Sequence, residues 1–167
     1  MFHVKQKAYD IIVVGAGHAG VEAATMASRL GCNTALVTFN SEDIGTLSCN
    51  PAMGGLGKGH LIREIDAMGG LIGRASDSSG IQFKVLNKTR GAAVQGPRAQ
   101  IDRNLYKKSM RSLIDAERVD ILIDEVQNIS ISKQGVDSLF LKSKGKVLSK
   151  AIIVTTGTFL SGKIFRG

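Results

Sequence analysis

Two glycine-rich stretches hold the side chains with chemistry to offer. The first, Gly15-Ala16-Gly17-His18-Ala19-Gly20, matches G-x-G-x-x-G. In that pattern the first glycine permits a tight turn. The second lets backbone approach a pyrophosphate, and the third lets a helix pack close to a strand. A helix starting there offers free N–H groups and a positive dipole end to phosphates. The second stretch, residues 45–59, reads GTLSCNPAMGGLGKG and contains Cys49 and Lys58. A thiol in a polar loop beside a cation is the setting in which cysteines become nucleophiles. The alternative is a packed thiol.

The first stretch has the context that gives a glycine pattern meaning. Ile11 to Val14 is an unbroken apolar run, as in a strand buried on both faces of a parallel sheet. A helical pattern follows over about 18–30 and closes at Gly31. Thr34 to Thr38 completes a βαβ unit. A dinucleotide fingerprint usually places Asp or Glu at the end of this second strand, to hold a ribose hydroxyl. Here the position holds Thr38, with Asn40 and Glu42 beyond. That departure weakens a simple NAD reading and leaves Thr38 or Asn40 for a weaker polar contact.

Five glycines and one proline in residues 45–59 exclude a regular element. Ordering such a loop costs chain entropy, which makes sense where backbone must approach a ligand. His60 to Met68 has helical spacing and ends at Gly69-Gly70. His60 reads as a surface or capping histidine before a catalytic base, and Cys32 as a small buried filler. Asp77 to Gly80 reads as a turn, Ile81 to Leu86 as a strand, 87–103 as a basic glycine-rich loop, and Arg98 to Ala116 as a helix. Between residues 58 and 111 stand eleven Lys/Arg against four Asp/Glu, which is +7 of the net +8 of the 167-residue chain. Clustered in loops rather than along one solvated helix face, that charge suits a polyanion and salt-dependent binding. Phe83 and Tyr106 are the only aromatics in the segment, too few for a single-strand stacking platform.

Val119 to Asp124 reads as a third parallel strand. Segments 125–132, 136–142 and 145–149 read as an antiparallel meander. Ala151 to Thr155 reads as a separate returning strand before Thr156-Gly157-Thr158. The expected fold class is α/β: a Rossmann-like parallel sheet with helices and an inserted β-meander. By fold-level analogy, a meander placed before the return strand is the layout of two-dinucleotide-binding-domain flavoproteins, in which the glycine turn holds the ADP half of FAD. Met1 to Ala8 reads as a frayed lead-in. The end at Gly167 leaves no room for a closing strand, so a fragment is expected. Hydrophobic content of 43% with no run of 18 apolar residues excludes a transmembrane helix. No signal-peptide pattern stands out. The two cysteines form no disulfide framework and the histidines no metal spacing, so no metal is expected and a cytoplasmic, reducing compartment fits.

Longer motifs then carry a family resemblance: GAGHAGVEAA (15–24), LSCNPAMGGLGKGHLIREIDAMGGL (47–71), GIQFKVLN (80–87), RGAAVQGPRAQIDRNLY (90–106) and TTGTFLSGKI (155–164). They resemble the GidA-type tRNA uridine 5-carboxymethylaminomethyl modification enzymes. Where the family pattern often has Pro, this chain has Ala92. Family members are far longer, so residues 1–167 resemble the N-terminal part of their FAD-binding domain, without the NADH-binding insertion and the C-terminal helical part. The resemblance implies that Gly15, Ala16, Gly17, His18, Ala19 and Gly20 bind FAD, with Val126 at the adenine; Thr38 stands beside them as a cofactor candidate from its place at the end of the second strand. It implies NADH as reductant and methylene-tetrahydrofolate as carbon donor. It implies a GTPase partner, a homodimer, and tRNA with its wobble uridine as substrate. Cys49 corresponds to the family's loop cysteine, a nucleophile or acid/base group at the uracil, where addition to the ring activates carbon 5. Lys58, Arg63, Lys88, Arg90, Arg98 and Arg103 become candidates for tRNA contact. Folate- and FAD-dependent tRNA uracil-5-methyltransferases are the alternative family; the Cys-Asn-Pro-Ala loop and His18 favour the first. An inactive FAD-binding module and a generic flavin reductase are the remaining readings.

Overall fold

The computed structural model describes residues 8–133, 135–158 and 160; the lead-in before Ala8 and the end of the 155–164 motif lie outside the described residues. The βαβ unit forms as the pattern predicts: β1 (Ala8–Val14), α1 (His18–Arg29), β2 (Thr34–Thr38). β1 and β2 pair in parallel, with Val13 opposite Leu36, and β6 (Val119–Ile123) adds to β2 in parallel. β7 (Val126–Ser132), β8 (Gly135–Leu141) and β9 (Gly145–Val154) follow. All six strands belong to one sheet, in the order β6-β2-β1-β9-β8-β7.

The meander and the return strand are therefore continuous, not separate as the sequence suggested. The first part of β9 pairs antiparallel with β8, Leu139 opposite Val147. Its second part pairs parallel with β1, Ile12 opposite Ile152. Nothing at Ser149-Lys150 supplies turn chemistry, so the strand changes partner without a break. The Lys150 ammonium pairs with Asp10 at 2.7 Å where the exchange occurs.

A second, antiparallel sheet has the order β3-β5-β4, from β3 (Ala52–Gly54), β4 (Gly80–Leu86) and β5 (Gly96–Ile101). Three expectations are corrected around it. Residues 52–54 form a short strand inside the glycine-rich loop. Residues 98–101 belong to a strand rather than a helix. α4 (Arg103–Asp115) begins only after Asp102, whose carboxylate accepts from the backbone N–H groups of Asn104 (2.8 Å) and Leu105 (2.9 Å). An N-cap of this kind outweighs the apolar spacing that ran the helix back to Arg98. Third, Asp77 to Ser79 is not a turn but the end of α3 (Leu71–Ser79). The buried face of α3 includes Ser76 and Ser79, whose hydroxyls donate to the Ile72 and Ala75 carbonyls. Serines satisfied by their own helix can line a core, and they hide the apolar period.

Strand alternation splits the core across the main sheet. Val13 and Leu36 face a cluster with Val21, Leu71, Tyr106, Met110 and Ile114. Ile12, Val14, Ala35 and Val37 face the meander through Leu139, Leu141 and Val147. α3 stands beside α1, and α2 (Lys58–Ala67) beside α3. One buried carboxyl group ties α1 to α3. Glu22 of α1 is 7% exposed, and its carboxylate accepts from Leu71 N–H (2.8 Å) and Ile72 N–H (2.7 Å). α3 has no side-chain cap at Gly70, so Glu22 supplies from another helix the acceptor that its first turn lacks. Glu22→Ala leaves two buried donors without that partner and should cost about 1–3 kcal/mol by urea unfolding.

Candidate functional site

The glycine turn lies at the C-terminal ends of the parallel strands, where open α/β sheets place ligands. Gly15, at φ +102°, donates its N–H to the Val37 carbonyl at 2.9 Å. Thr155, just beyond β9, donates its N–H to Val14 at 2.8 Å, and its hydroxyl lies 2.9 Å from the Gly15 carbonyl oxygen. A Cβ on Gly20 would stand 1.8 Å from that same oxygen and 2.7 Å from the Thr155 hydroxyl. Gly15 and Gly20 thus answer to the fold. Gly17 does not: a Cβ there meets nothing within 4 Å. Gly17 is also the N-cap of α1, and no side chain caps that end. Ala16 is buried, and Ala19 is exposed at the mouth of the turn. These residues fit a pyrophosphate: open space in front of Gly17, backed by a helix end with unspent dipole.

His18 opens α1 and turns inward. Its Nε2 shares a 3.0 Å hydrogen bond with the Tyr106 hydroxyl, the rings meeting edge to face. Burial, and then the nearby Lys58 charge, lower the His18 pKa to about 4. Burial also raises the Tyr106 phenol, with Glu22 adding to it. Both groups are neutral at neutral pH.

The Cys49 loop reaches the same place. Gly45 N–H donates to the Ala16 carbonyl at 2.8 Å, joining the two glycine-rich stretches directly. Leu47 is buried and Cys49 is exposed. The Arg103 guanidinium donates from Nη1 to the Leu47 carbonyl and from Nη2 to the Cys49 carbonyl. Lys58 donates from Nζ to the Ala52 carbonyl at 3.1 Å. Its pKa is lowered by burial first; Cys49 pulls it up and Arg98 pushes it down. The sequence pairing of Cys49 with Lys58 is thus an electrostatic neighbourhood in the fold.

Thr38 and Val126 sit at the same strand ends. The Thr38 hydroxyl is spent on the Asn40 carbonyl at 3.1 Å. Val126 begins β7, half-buried beside the cluster of Val14 and Val37. The six basic candidates divide. Arg63, Lys88 and Arg98 line one cleft of about 450 Å³ between α2, α3 and the small sheet, together with Phe83 and Lys84. Lys58 and Arg103 attend the Cys49 loop, and Arg90 is exposed on the segment after β4. A larger cleft, about 820 Å³, runs along Lys107, Lys108 and Arg111 and includes no residue of the glycine turn. His60 caps α2, its Nδ1 accepting from Gly57 N–H at 3.3 Å. Sequence reasoning gave no role to Thr155, Tyr106 or Lys84. Thr155 follows directly on a buried strand, which was the available signal; nothing local marks Tyr106. Among the described residues there is no cluster of three or more metal-binding side chains, and no helix is long and apolar enough to cross a membrane.

The family model described as "Glucose inhibited division protein A" matches residues 10–167. A tRNA uridine 5-carboxymethylaminomethyl modification enzyme MnmG from Dichelobacter nodosus (strain VCS1703A) is 49% identical over 160 residues, covering 95% of this chain and 25% of that protein. GidA from Aquifex aeolicus, in its form I crystal, superposes with a TM-score of 0.88 at 44% identity, over 92% of this chain and 26% of that one. Glycine oxidase from Bacillus cereus ATCC 14579 shares the fold alone, with a TM-score of 0.60 at 17% identity over 89% of this chain and 57% of that one. The chain spans about a quarter of the length of the MnmG and GidA relatives.

The lowered His18 pKa has a signed consequence. A histidine held below its ordinary value contributes stability that is complete above pH 6.5. That contribution is lost as pH falls through the window from 6.5 to about 4. The unfolding free energy of the ligand-free protein should drop across that window by up to about 1.4 kcal/mol per pH unit. His18→Gln should flatten that part of a stability-versus-pH profile.

Proposed function

The chain belongs to the Glucose inhibited division protein A family, and from that premise we propose that it is the N-terminal part of the FAD-binding domain of an enzyme that modifies carbon 5 of the wobble uridine in tRNA. The product is a 5-carboxymethylaminomethyl or aminomethyl group. The observation that carries the cofactor reading is Gly17, which no internal contact requires to be glycine. When bound, FAD supplies the hydride-transfer chemistry. Gly15 to Gly20 hold its pyrophosphate through the backbone at the start of α1, and Thr38 and Val126 border its adenosine end.

Cys49 is the group that meets the uracil. It is exposed in a loop tied to Ala16, and Lys58 stands within its electrostatic reach. Arg63, Lys88 and Arg98 gather positive charge in one cleft, with Lys58 and Arg90 outside it, which suits the tRNA backbone. NADH, methylene-tetrahydrofolate, the GTPase partner, the homodimer and a cytoplasmic location belong to the reading of the whole family protein, of which this chain is about a quarter.

Two experiments test it. Gly17→Ala should leave folding within about 0.5 kcal/mol of wild type yet lower flavin affinity by about tenfold or more, because the added methyl stands where the diphosphate approaches. Gly20→Ala should instead lose stability outright, since its Cβ would sit 1.8 Å from a backbone oxygen. Equal flavin retention in wild type and Gly17→Ala would overturn the cofactor site. Nucleoside mass spectrometry of tRNA from a deletion strain should show the wobble modification lost and ribothymidine intact. The reverse pattern would assign the chain to uracil-5-methylation.

A further inference from the structure

We propose that α4 is the bracket that sets the distance between the Cys49 loop and the glycine turn, with Arg103 and Tyr106 as its two positioning residues. The inference rests on the reading of Cys49 given above. Arg103 and Tyr106 are three residues apart, so they lie on one face of the helix. Each reaches a different half of the site. Arg103 spreads its guanidinium over the carbonyls of Leu47 and Cys49, on either side of Ser48. Tyr106, 1% exposed, holds His18 in the first turn of α1. The Gly45 N–H to Ala16 carbonyl bond closes the circuit from the other side.

The circuit matters because the loop cannot hold itself. Its glycines give it many accessible conformations, several at positive φ: Gly45 at +63°, Gly54 at +108°, Gly55 at +92° and Gly57 at +75°. By contrast, α4 is fixed at its start by Asp102 and along its length by buried Met110 and Ile114. Anchoring a loose loop to that helix converts a floppy nucleophile into one at a set reach from the cofactor turn, which is where orientation gains in rate arise. The guanidinium fork is the part that does this. It supplies two donors in one plane, which a lysine cannot. Two of its N–H donors, one from each terminal nitrogen, go to the protein's own backbone, which is the bond pair that positions the loop.

The test uses the complete protein as isolated with its flavin, comparing wild type with Arg103→Lys, Arg103→Ala and Tyr106→Phe. Arg103→Lys keeps the charge and loses the fork. It should lower kcat by about tenfold or more with KM for tRNA unchanged, and raise amide hydrogen exchange in residues 46–51. Flavin content and the salt dependence of tRNA binding should stay at wild-type values. Tyr106→Phe keeps the packing and loses the hydroxyl. It should raise exchange in residues 16–20 and lower kcat severalfold. If Arg103→Lys matches wild type in kcat and in loop exchange, or if the Arg103→Ala defect lies wholly in tRNA affinity with a shallower salt slope, the bracket is overturned. The exchange measurement needs no turnover. A protein that leaves tRNA unmodified while Arg103→Lys still loosens residues 46–51 sinks the functional reading and upholds the bracket.

Discussion

The architecture turns on one close approach. At the end of β1, the start of α1 and the residue after β9 come so near that Gly20 leaves no room for a methyl group against the Gly15 carbonyl and the Thr155 hydroxyl. That approach seats α1 on the sheet and aims its uncapped end at the C-terminal edge of the parallel strands. With the helix there, β2 pairs alongside β1, and the second glycine-rich stretch bonds back to Ala16. A dense junction behind the turn is what leaves open space in front of it.

Around that junction the helices pack through an apolar cluster, and polar groups add partners on distant elements. Glu22 caps α3 from α1, and Tyr106 binds His18 from α4. Arg29 pairs with Glu117 and donates to the Gly69 carbonyl. Buried groups such as Glu22 and Tyr106 cost much when unmatched and little when matched, so they select one arrangement of helices over other equally apolar ones. Met110 and Ile114 of α4 add packing on the same helix that carries Tyr106. The neutral state of His18 and Tyr106 follows from that setting, since neither could ionise there without losing its hydration.

Much of this was readable in the chain. Ile11 to Val14, the glycine turn and Thr34 to Thr38 announce themselves because each residue there obeys a local rule of strand, turn or helix. The Cys49 loop stands out by glycine density. What stayed hidden depends on partners far away in sequence. α3 escaped notice because Ser76 and Ser79 occupy core positions. The boundary at Asp102 was masked by apolar spacing that continues from β5 into α4. Arg103 looked like one more cation in a basic segment, because its acceptors are backbone oxygens more than fifty residues earlier. Tyr106 drew no role because its partner, the His18 side chain, lies 88 residues away in sequence. Backbone acceptors leave no trace in side-chain patterns.

The exchange of partners along β9 bears on how the molecule is assembled. β7, β8 and the first part of β9 are neighbours in sequence, and a local meander closes quickly and at little entropic cost. The second part of β9 instead joins β1, whose residues lie about 140 positions earlier. The meander thus shares its last strand with the βαβ unit. Thr155 arrives with that strand and completes the backing of Gly15. The glycine turn is encoded among the first twenty residues, but the backing of Gly15 comes from a residue 140 positions later.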